Sequence, residues 1–188
     1  MEGSLGPFNL FTPQKVSPMM LGLSLLFVGL VLILNGLWLM ERIEDRGIIL
    51  INVVVATLSF FIAAHTALSA TDIGGIRSAA MTLLFATTYL WIAYNRVIAC
   101  DGRGLGWFSL LVAITVTPMA ILAFAEADSL ITIWLGFSWA FWAVLWFMYF
   151  CLLALQKPIL RMTANFTLFC GVVTAWLPGM LILFEIAN

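Results

Sequence analysis

Residues 129–156, SLITIWLGFSWAFWAVLWFMYFCLLALQ, decide the fold of this chain. This run is 28 residues long and contains no Asp, Glu, Lys or Arg. A helix of about 20 apolar residues crosses the roughly 30 Å hydrocarbon core of a bilayer. The run is therefore predicted to form a transmembrane helix.

Five further uncharged runs share this character, and with the first they cover most of the chain: residues 16–40, 47–71, 78–95, 104–125 and 162–184. Only helices and closed barrels satisfy their backbone hydrogen bonds in lipid. The runs are longer than the 9–11 residues of a barrel strand, and they do not alternate polar with apolar residues. The prediction is an all-α polytopic membrane protein, a bundle of six transmembrane helices whose short connections make consecutive helices antiparallel.

The composition excludes several functional classes. Hydrophobic residues make up 64% of the chain and charged residues 9%, against about 25% charged in soluble proteins. A net charge of -1 offers no basic patch for nucleic acid. The three cysteines, Cys100, Cys151 and Cys170, lack metal-ligand spacing. With one histidine and no mid-span carboxylate, we predict no enzyme, no metal and no cofactor.

The basic residues predict the orientation. Lys and Arg accumulate on the cytoplasmic side of a membrane. Two lie on one side of the predicted bundle, Lys15 and Arg77. Six lie on the other: Arg42, Arg46, Arg96, Arg103, Lys157 and Arg161. Both termini are therefore predicted to face outward.

Residues 1–19 differ from the rest of the chain. They contain Pro7, Pro13 and Pro18, and they lack the basic start and apolar stretch of a signal peptide. We interpret them as an extended, outward-facing leader, with residues 20–188 as the six-helix transmembrane domain. Whether Met20 is the real start, or the leader is a native but dispensable extension, stays open.

One face of the fifth predicted helix is aromatic. Leu135, Trp139, Trp142 and Trp146 recur at i, i+4, i+7 and i+11, over about 16 Å of helix. Tryptophan is typical of the membrane interface, which suits Trp134, but an indole N–H at mid-span needs a partner. The face is either an aromatic belt with plain packing or one wall of a slot for a flat, neutral solute. Weak contacts along such a slot suit conduction.

The first predicted helix carries two stripes. Its aliphatic stripe shares one helical face and can close the opposite side of the slot: Leu21, Leu25, Val28 and Leu32. Its glycine stripe lets another helix approach closely: Gly22, Gly29 and Gly36.

A few polar residues and prolines lie within the spans. Asn35, Asn52 and Asn95 lie toward the inner ends, where buried amides either bridge helices or line an inner vestibule. The single histidine, His65, is interpreted as a packed or interfacial residue. Pro118 and Pro178 are expected to kink their helices and free carbonyls that can line a path.

An ordered set of motifs resembles a known family. It comprises MLGL (20–23), FVG (27–29), NG (35–36), LLF (83–85), TYLW (88–91), Asn95, GWF (106–108), W-x-x-W-x-x-L-W (139–146) and TAWLP (174–178). From Met20 to the C-terminus the sequence resembles the AmiS/UreI family of bacterial urea and short-chain amide channels.

The resemblance implies a protomer with its own pore, assembled as a hexameric ring around a lipid-filled centre in the bacterial inner membrane. The implied function is passive permeation of urea or short aliphatic amides toward a cytoplasmic urease or amidase. The implied pore-lining residues are Leu21, Leu25, Val28, Leu32, Thr87, Trp91, Leu135, Trp139, Trp142 and Trp146.

The sequence departs from the acid-gated urea channel of that family. That channel has longer outer loops with histidines and carboxylates, whereas residues 71–77 and 125–128 contain no histidine here. We therefore expect no comparable acid gate. That channel also has a glutamate where this chain has Cys170 and an aromatic residue where it has Thr87. The preference between urea and acetamide-like solutes stays open, although the pattern around Trp91 is closer to the amide branch.

Two alternatives to a channel remain. An ion-coupled secondary transporter of small amides usually has an ionisable residue or broken helices at mid-membrane. The absence of a mid-span charge disfavours proton coupling but not sodium coordination by carbonyls. A purely structural protein would leave the mid-membrane tryptophans unexplained.

Overall fold

The computed structural model describes residues 18–184, and these residues form six apolar helices long enough to cross a membrane. No strand occurs in this range, so the predicted all-helical, six-span fold is confirmed. The predicted leader lies outside the described residues except for Pro18 and Met19, which belong to the first helix. The elements are α1 (Pro18–Leu39), α2 (Ile49–Ser69), α3 (Ile73–Val97), α4 (Arg103–Ala125), α5 (Leu130–Tyr149), a π-helical turn (Phe150–Ala154), α6 (Leu160–Phe169), a π-helical segment (Cys170–Trp176) and α7 (Leu177–Leu183).

Side-chain caps fix the starts of two helices at one end of the bundle. The Asp72 carboxylate accepts from the Gly75 N–H at 2.8 Å, and Ser129 forms a capping box with Thr132. Each cap satisfies a backbone donor that the first helical turn leaves without a partner. The connections at this end, residues 70–72 and 126–129, are correspondingly short.

The six spans form a closed ring. Three antiparallel pairs pack tightly along their length: α2 with α3, α4 with α5, and α1 with the sixth span, which runs from Leu160 to Leu183. Looser contacts between α1 and α2, α3 and α4, and α5 and the sixth span join these pairs. Each helix therefore turns one face toward a common centre.

Glycines on both partners hold α1 against the sixth span. A Cβ atom on Gly29 would overlap the backbone nitrogen of Trp176. One on Gly171 would lie 2.7 Å from the Ile33 nitrogen. The close helix approach predicted from the glycine stripe is therefore confirmed, and it is backbone to backbone.

The two prolines behave differently. Helix α4 runs unbroken through Pro118, which is exposed on the outside of the bundle, so its freed carbonyl does not line an inner path. Pro178 follows the π-helical segment, in which the Leu177 N–H bonds back to the Val172 carbonyl. In that register the next carbonyl, of Val173, would be taken by residue 178, and proline has no N–H to donate.

Trp134 uses the carbonyl that Pro178 leaves free. Its Nε1–H donates to the Val173 oxygen at 3.0 Å, and the ring is only partly exposed. The sequence suggested an interfacial belt for Trp134, but the side chain instead bonds across to the sixth span, because a buried carbonyl without a donor is costly.

Candidate functional site

The tryptophan face of α5 points into the ring. Trp142 is 5% exposed and Trp146 is 6% exposed. Their main aromatic partner is Phe85 of α3, whose ring centroid lies 5.9 Å from Trp139, 5.1 Å from Trp142 and 4.8 Å from Trp146. These indoles therefore meet protein rather than lipid, which rules out an interfacial belt for Trp142 and Trp146.

Each buried indole N–H is satisfied in the same way, by a threonine hydroxyl. Trp142 Nε1 donates to Thr174 Oγ1 at 2.8 Å, and that hydroxyl donates to the Cys170 carbonyl at 2.6 Å. Trp146 Nε1 donates to Thr88 Oγ1 at 3.4 Å. Because their N–H groups are engaged, these rings offer π faces, and not donors, to anything passing beside them.

The aliphatic stripe of α1 belongs to the same apolar cluster. Leu25, Val28 and Leu32 are buried in it, and Leu21 packs against it. Nine of the ten residues named from the sequence belong to this cluster or pack against it: Leu21, Leu25, Val28, Leu32, Trp91, Leu135, Trp139, Trp142 and Trp146.

Thr87 and Trp91 lie on a different face of α3 from Phe85. They line a lateral, open depression with Leu90 and Tyr94, and Trp91 packs on Phe108 of α4 at 5.5 Å. Because each helical residue turns by about 100°, Thr87 points roughly 200° away from residue 85.

The α3 residues that do face the indoles are Phe85, Thr88 and Tyr89. Sequence reasoning did not assign them to the pore, although all three lie within the quoted motifs. The 85, 88, 89, 92 spacing of a single helical face was the available signal.

A small cavity lies beside Phe85, in the half of the ring that is predicted to face the cytoplasm. The space that the centre of a water molecule can occupy there is about 30 Å³, more than the roughly 10–15 Å³ that one buried water needs. Asn35, Thr88 and Ser109 contribute polar groups to it. Most of its wall is apolar or aromatic: Leu32, Phe85, Ile92, Leu105, Trp142 and Trp146.

Two of the three asparagines bridge helices. Asn35 Nδ2 donates to Asn52 Oδ1 at 3.1 Å, and Asn52 Nδ2 donates to Asn35 Oδ1 at 2.8 Å. Asn52 also donates to the Ile48 carbonyl at 2.8 Å. The structural interpretation therefore holds for this pair, which ties α1 to α2, while Asn35 also borders the cavity. His65 is exposed on α2.

A closed ring of six apolar helices around an aromatic cavity defines a multi-pass membrane protein with the architecture of a solute transporter or channel. Among residues 18–184, no group of three His, Cys, Asp or Glu side chains is placed to hold a metal ion. A family model described as "AmiS/UreI family transporter" matches residues 20–186, and the chain belongs to the AmiS/UreI family.

Relatives within the family have two kinds of description. A putative amidate substrates transporter protein of Mycolicibacterium smegmatis is 43% identical, over 86% of this chain and 75% of the relative. The acid-activated urea channel of Helicobacter pylori is 31% identical, over 88% of this chain and 98% of the relative. The cryoEM structure of that urea channel in a closed state superposes with a TM-score of 0.77 at 32% identity, covering 88% of this chain and 98% of the other.

Proposed function

We propose that this protein is a passive inner-membrane channel for urea and short-chain aliphatic amides, with a separate pore through each protomer. The observation that carries the proposal is the burial of Trp142 and Trp146, with Phe85, at the centre of a closed helical ring. The aliphatic stripe of α1 belongs to the same cluster. A transport-family relationship supports it.

The proposed route selects by polarity and shape. Its wall carries no ionised side chain at mid-span, so an ion that sheds its water there would find no compensating ligand, at a large cost in free energy. A flat, neutral amide loses less hydration free energy than an ion does, and it gains weak contacts with aromatic faces. Such contacts are weak enough for the solute to leave again.

We place eight of the sequence-derived residues along this route and add Phe85 and Thr88. Thr87 and Trp91 are left out of it because they open on the side of the protomer. We further propose a hexameric ring in the bacterial inner membrane, with lipid and neighbouring copies covering the exposed apolar residues of the outer surface. Native mass spectrometry of the purified protein tests the copy number.

We also propose that the channel lacks an acid gate. The chain has one histidine, on α2, and none in the short connections at residues 70–72 and 126–129. The alignment with the acid-activated urea channel extends over 197 positions and includes 88% of this chain and 98% of the relative. Some segments of the relative therefore have no counterpart in this chain.

An ion-coupled transporter is the second candidate, and the irregular sixth span favours it. Transporters often bind ions at broken helices through freed carbonyls. Here the carbonyl freed before Pro178 already accepts from Trp134, which leaves that oxygen less available to a cation.

Flux through purified protein in liposomes separates the two candidates. We expect faster urea and acetamide entry than in empty liposomes, without any ion gradient and linear in solute concentration. Saturation at low solute together with dependence on a sodium or proton gradient would favour the transporter. No acceleration for either solute would contradict both.

The indole face is tested by Trp142→Ala, with Phe137→Ala as the matched control. Phe137 lies on the same helix but is 52% exposed on its outer face. Removing the Trp142 ring widens the route, so butyramide should gain flux relative to acetamide. Phe137→Ala should leave that ratio unchanged. If the ratio of butyramide to acetamide flux is the same in both variants, the indole face of α5 serves only in packing.

A further inference from the structure

A single face of α3 leads from the aromatic cavity to the inner end of the bundle. Phe85, Thr88, Ile92 and Asn95 follow one another at i, i+3, i+7 and i+10, so they share that face. The first three line the cavity. Asn95 is the next residue of the face, about 4.5 Å further along the helix axis. Asn95 does not itself line the cavity, and it is the next residue of this face toward the inner end of α3.

The buried Asn95 side chain has an oxygen atom without a hydrogen-bond partner among residues 18–184. It is 2% exposed, and its Oδ1 atom is enclosed but accepts no hydrogen bond from any residue in the range 18–184. Buried polar atoms without partners are rare and costly, and each calls for an explanation.

A glycine lies beside the Asn95 amide. Gly102, at a positive φ of 80°, precedes α4 beside it. A Cβ atom at residue 102 would lie 4.0 Å from Asn95 Nδ2 and 3.5 Å from Leu153 Cδ2. Leu153 belongs to the π-helical turn after α5. The positive φ favours glycine at this position, so no side chain of residue 102 covers the Asn95 amide.

The chain itself shows what satisfies such a group. Asn35 and Asn52 form a reciprocal pair in which each amide donates one N–H to the oxygen of the other. This pair requires an N–H on the same side of the C–N bond as the carbonyl oxygen. Urea and primary amides have that arrangement, whereas a secondary amide in its trans form does not.

We propose that Asn95 is a binding site at the inner exit of the pore, where it forms a reciprocal amide–amide pair with urea or a primary amide. The inference rests on the proposed channel function and adds a specificity that the apolar slot does not provide. The slot accepts any flat neutral solute of suitable width. Asn95 selects those with an unsubstituted amide end.

The test compares Asn95→Leu with wild type, using acetamide and N-methylacetamide as solutes in liposome flux. Leucine keeps the approximate volume and removes both hydrogen-bonding atoms. We expect acetamide flux to fall about fivefold, the factor that corresponds to roughly one net hydrogen bond. N-methylacetamide flux should stay within about twofold, since that solute cannot form the reciprocal pair. Equal falls for both solutes, or no fall for acetamide, would overturn the assignment.

The outcomes also separate this inference from the channel proposal. If wild-type protein carries neither solute, the channel proposal fails. If it carries acetamide and the variant behaves like wild type, only the Asn95 site fails. Should Asn95→Leu not assemble, cryo-electron microscopy of wild-type protein in concentrated acetamide decides. Density within hydrogen-bond distance of the Asn95 amide supports the site, and density confined to the aromatic cavity contradicts it.

Discussion

At the scale of single residues, threonines set the orientation of the buried tryptophans. Thr174 and Thr88 each accept from an indole N–H and donate to the carbonyl four residues earlier in their own helix. A hydroxyl can do both at once. The result is a fixed ring whose face, and not its edge, borders the proposed route. Ring orientation thus depends on hydroxyl groups of neighbouring helices, and of these two threonines Thr88 also borders the cavity.

Thr174→Val tests this anchoring. Valine keeps the shape but leaves Trp142 Nε1 without its acceptor, so we expect a loss of about 1 kcal/mol in unfolding free energy. Acetamide flux should change as well, because the ring is free to turn. Unfolding in mixed detergent micelles and liposome flux provide the two measurements.

Thr115→Val is the matched control for Thr174→Val. The Thr115 hydroxyl also donates to a carbonyl four residues back, that of Leu111, but it is exposed on the outer side of α4. We expect neither stability nor flux to change measurably. If both variants lose stability equally, the indole contact is not what matters.

At the scale of elements, the sixth span combines close packing with an irregular backbone. Its glycines and those of α1 bring the two backbones together, while the π-helical segment before Pro178 widens the helix locally. π-helical turns are frequent at functional sites. Here the segment carries Thr174, the acceptor for Trp142, and Val173, the acceptor for Trp134. The widened segment thereby connects the sixth span to α5.

Gly29→Ala should destabilise the protein far more than Gly22→Ala, although both belong to one stripe. The added methyl at residue 29 meets the Trp176 backbone, which cannot move without separating the helices. At residue 22 it lies 2.9 Å from Leu183 Cγ, and that side chain can rotate away. We expect about 1–3 kcal/mol for Gly29→Ala, the usual cost of overpacking, and less than 1 kcal/mol for Gly22→Ala.

Unfolding in detergent micelles ranks the two glycine variants. Comparable losses of unfolding free energy at both positions would mean that α1 and the sixth span adjust equally well to an added methyl group anywhere along their contact. The close backbone contact at Gly29 would then not control the packing of this pair.

At the scale of the whole molecule, three helix pairs close a ring, and each connection has a predicted side. Cys100 is exposed in the connection between α3 and α4, on the side that the basic residues predict to be cytoplasmic. Cys170 is buried, and Cys151 is partly buried. Cys100 is therefore a native reporter of orientation.

Labelling with a membrane-impermeant maleimide tests the orientation. We expect Cys100 to stay unlabelled in intact cells and to react in inside-out vesicles. Thr71→Cys in a Cys100→Ser background should give the reverse, because Thr71 is exposed in the connection between α2 and α3. Labelling of Cys100 from outside would place both termini in the cytoplasm.

Flux should depend little on pH between about 5 and 7.5, the range in which histidine changes its charge. Asp101 stays ionised throughout, because the backbone N–H of Arg103 and then its guanidinium hold the pKa of that carboxyl below its usual value. Any stabilisation from this contact is present above the ordinary carboxyl pKa and is lost only at lower pH. Stopped-flow measurements in liposomes would contradict the prediction if acidification raised flux steeply.

The amino-acid sequence predicts the six spans and the residues that share each helical face, although α3 begins at Ile73, before the uncharged run that starts at Ser78. Hydrophobic run length and helical periodicity are local properties, and the bilayer leaves few other folds for such a chain. The indole face of α5 and both stripes of α1 follow from spacing alone. The glycine stripe of α1 predicts that another helix packs closely against it. The stripe does not predict that this helix is the sixth span.

Which helix faces meet follows from the three-dimensional packing of the ring. Spacing groups Phe85 with Thr88 on one face of α3, but the direction in which that face points follows from packing. Hydrogen-bond partners distant in sequence, such as Thr174 for Trp142, likewise depend on the packing of whole helices. The same holds for the asparagines, whose identical side chains are paired at residues 35 and 52 and unpaired at residue 95. Local patterns determine which residues share a face of each helix, and the packing of the ring determines which neighbouring residues that face contacts.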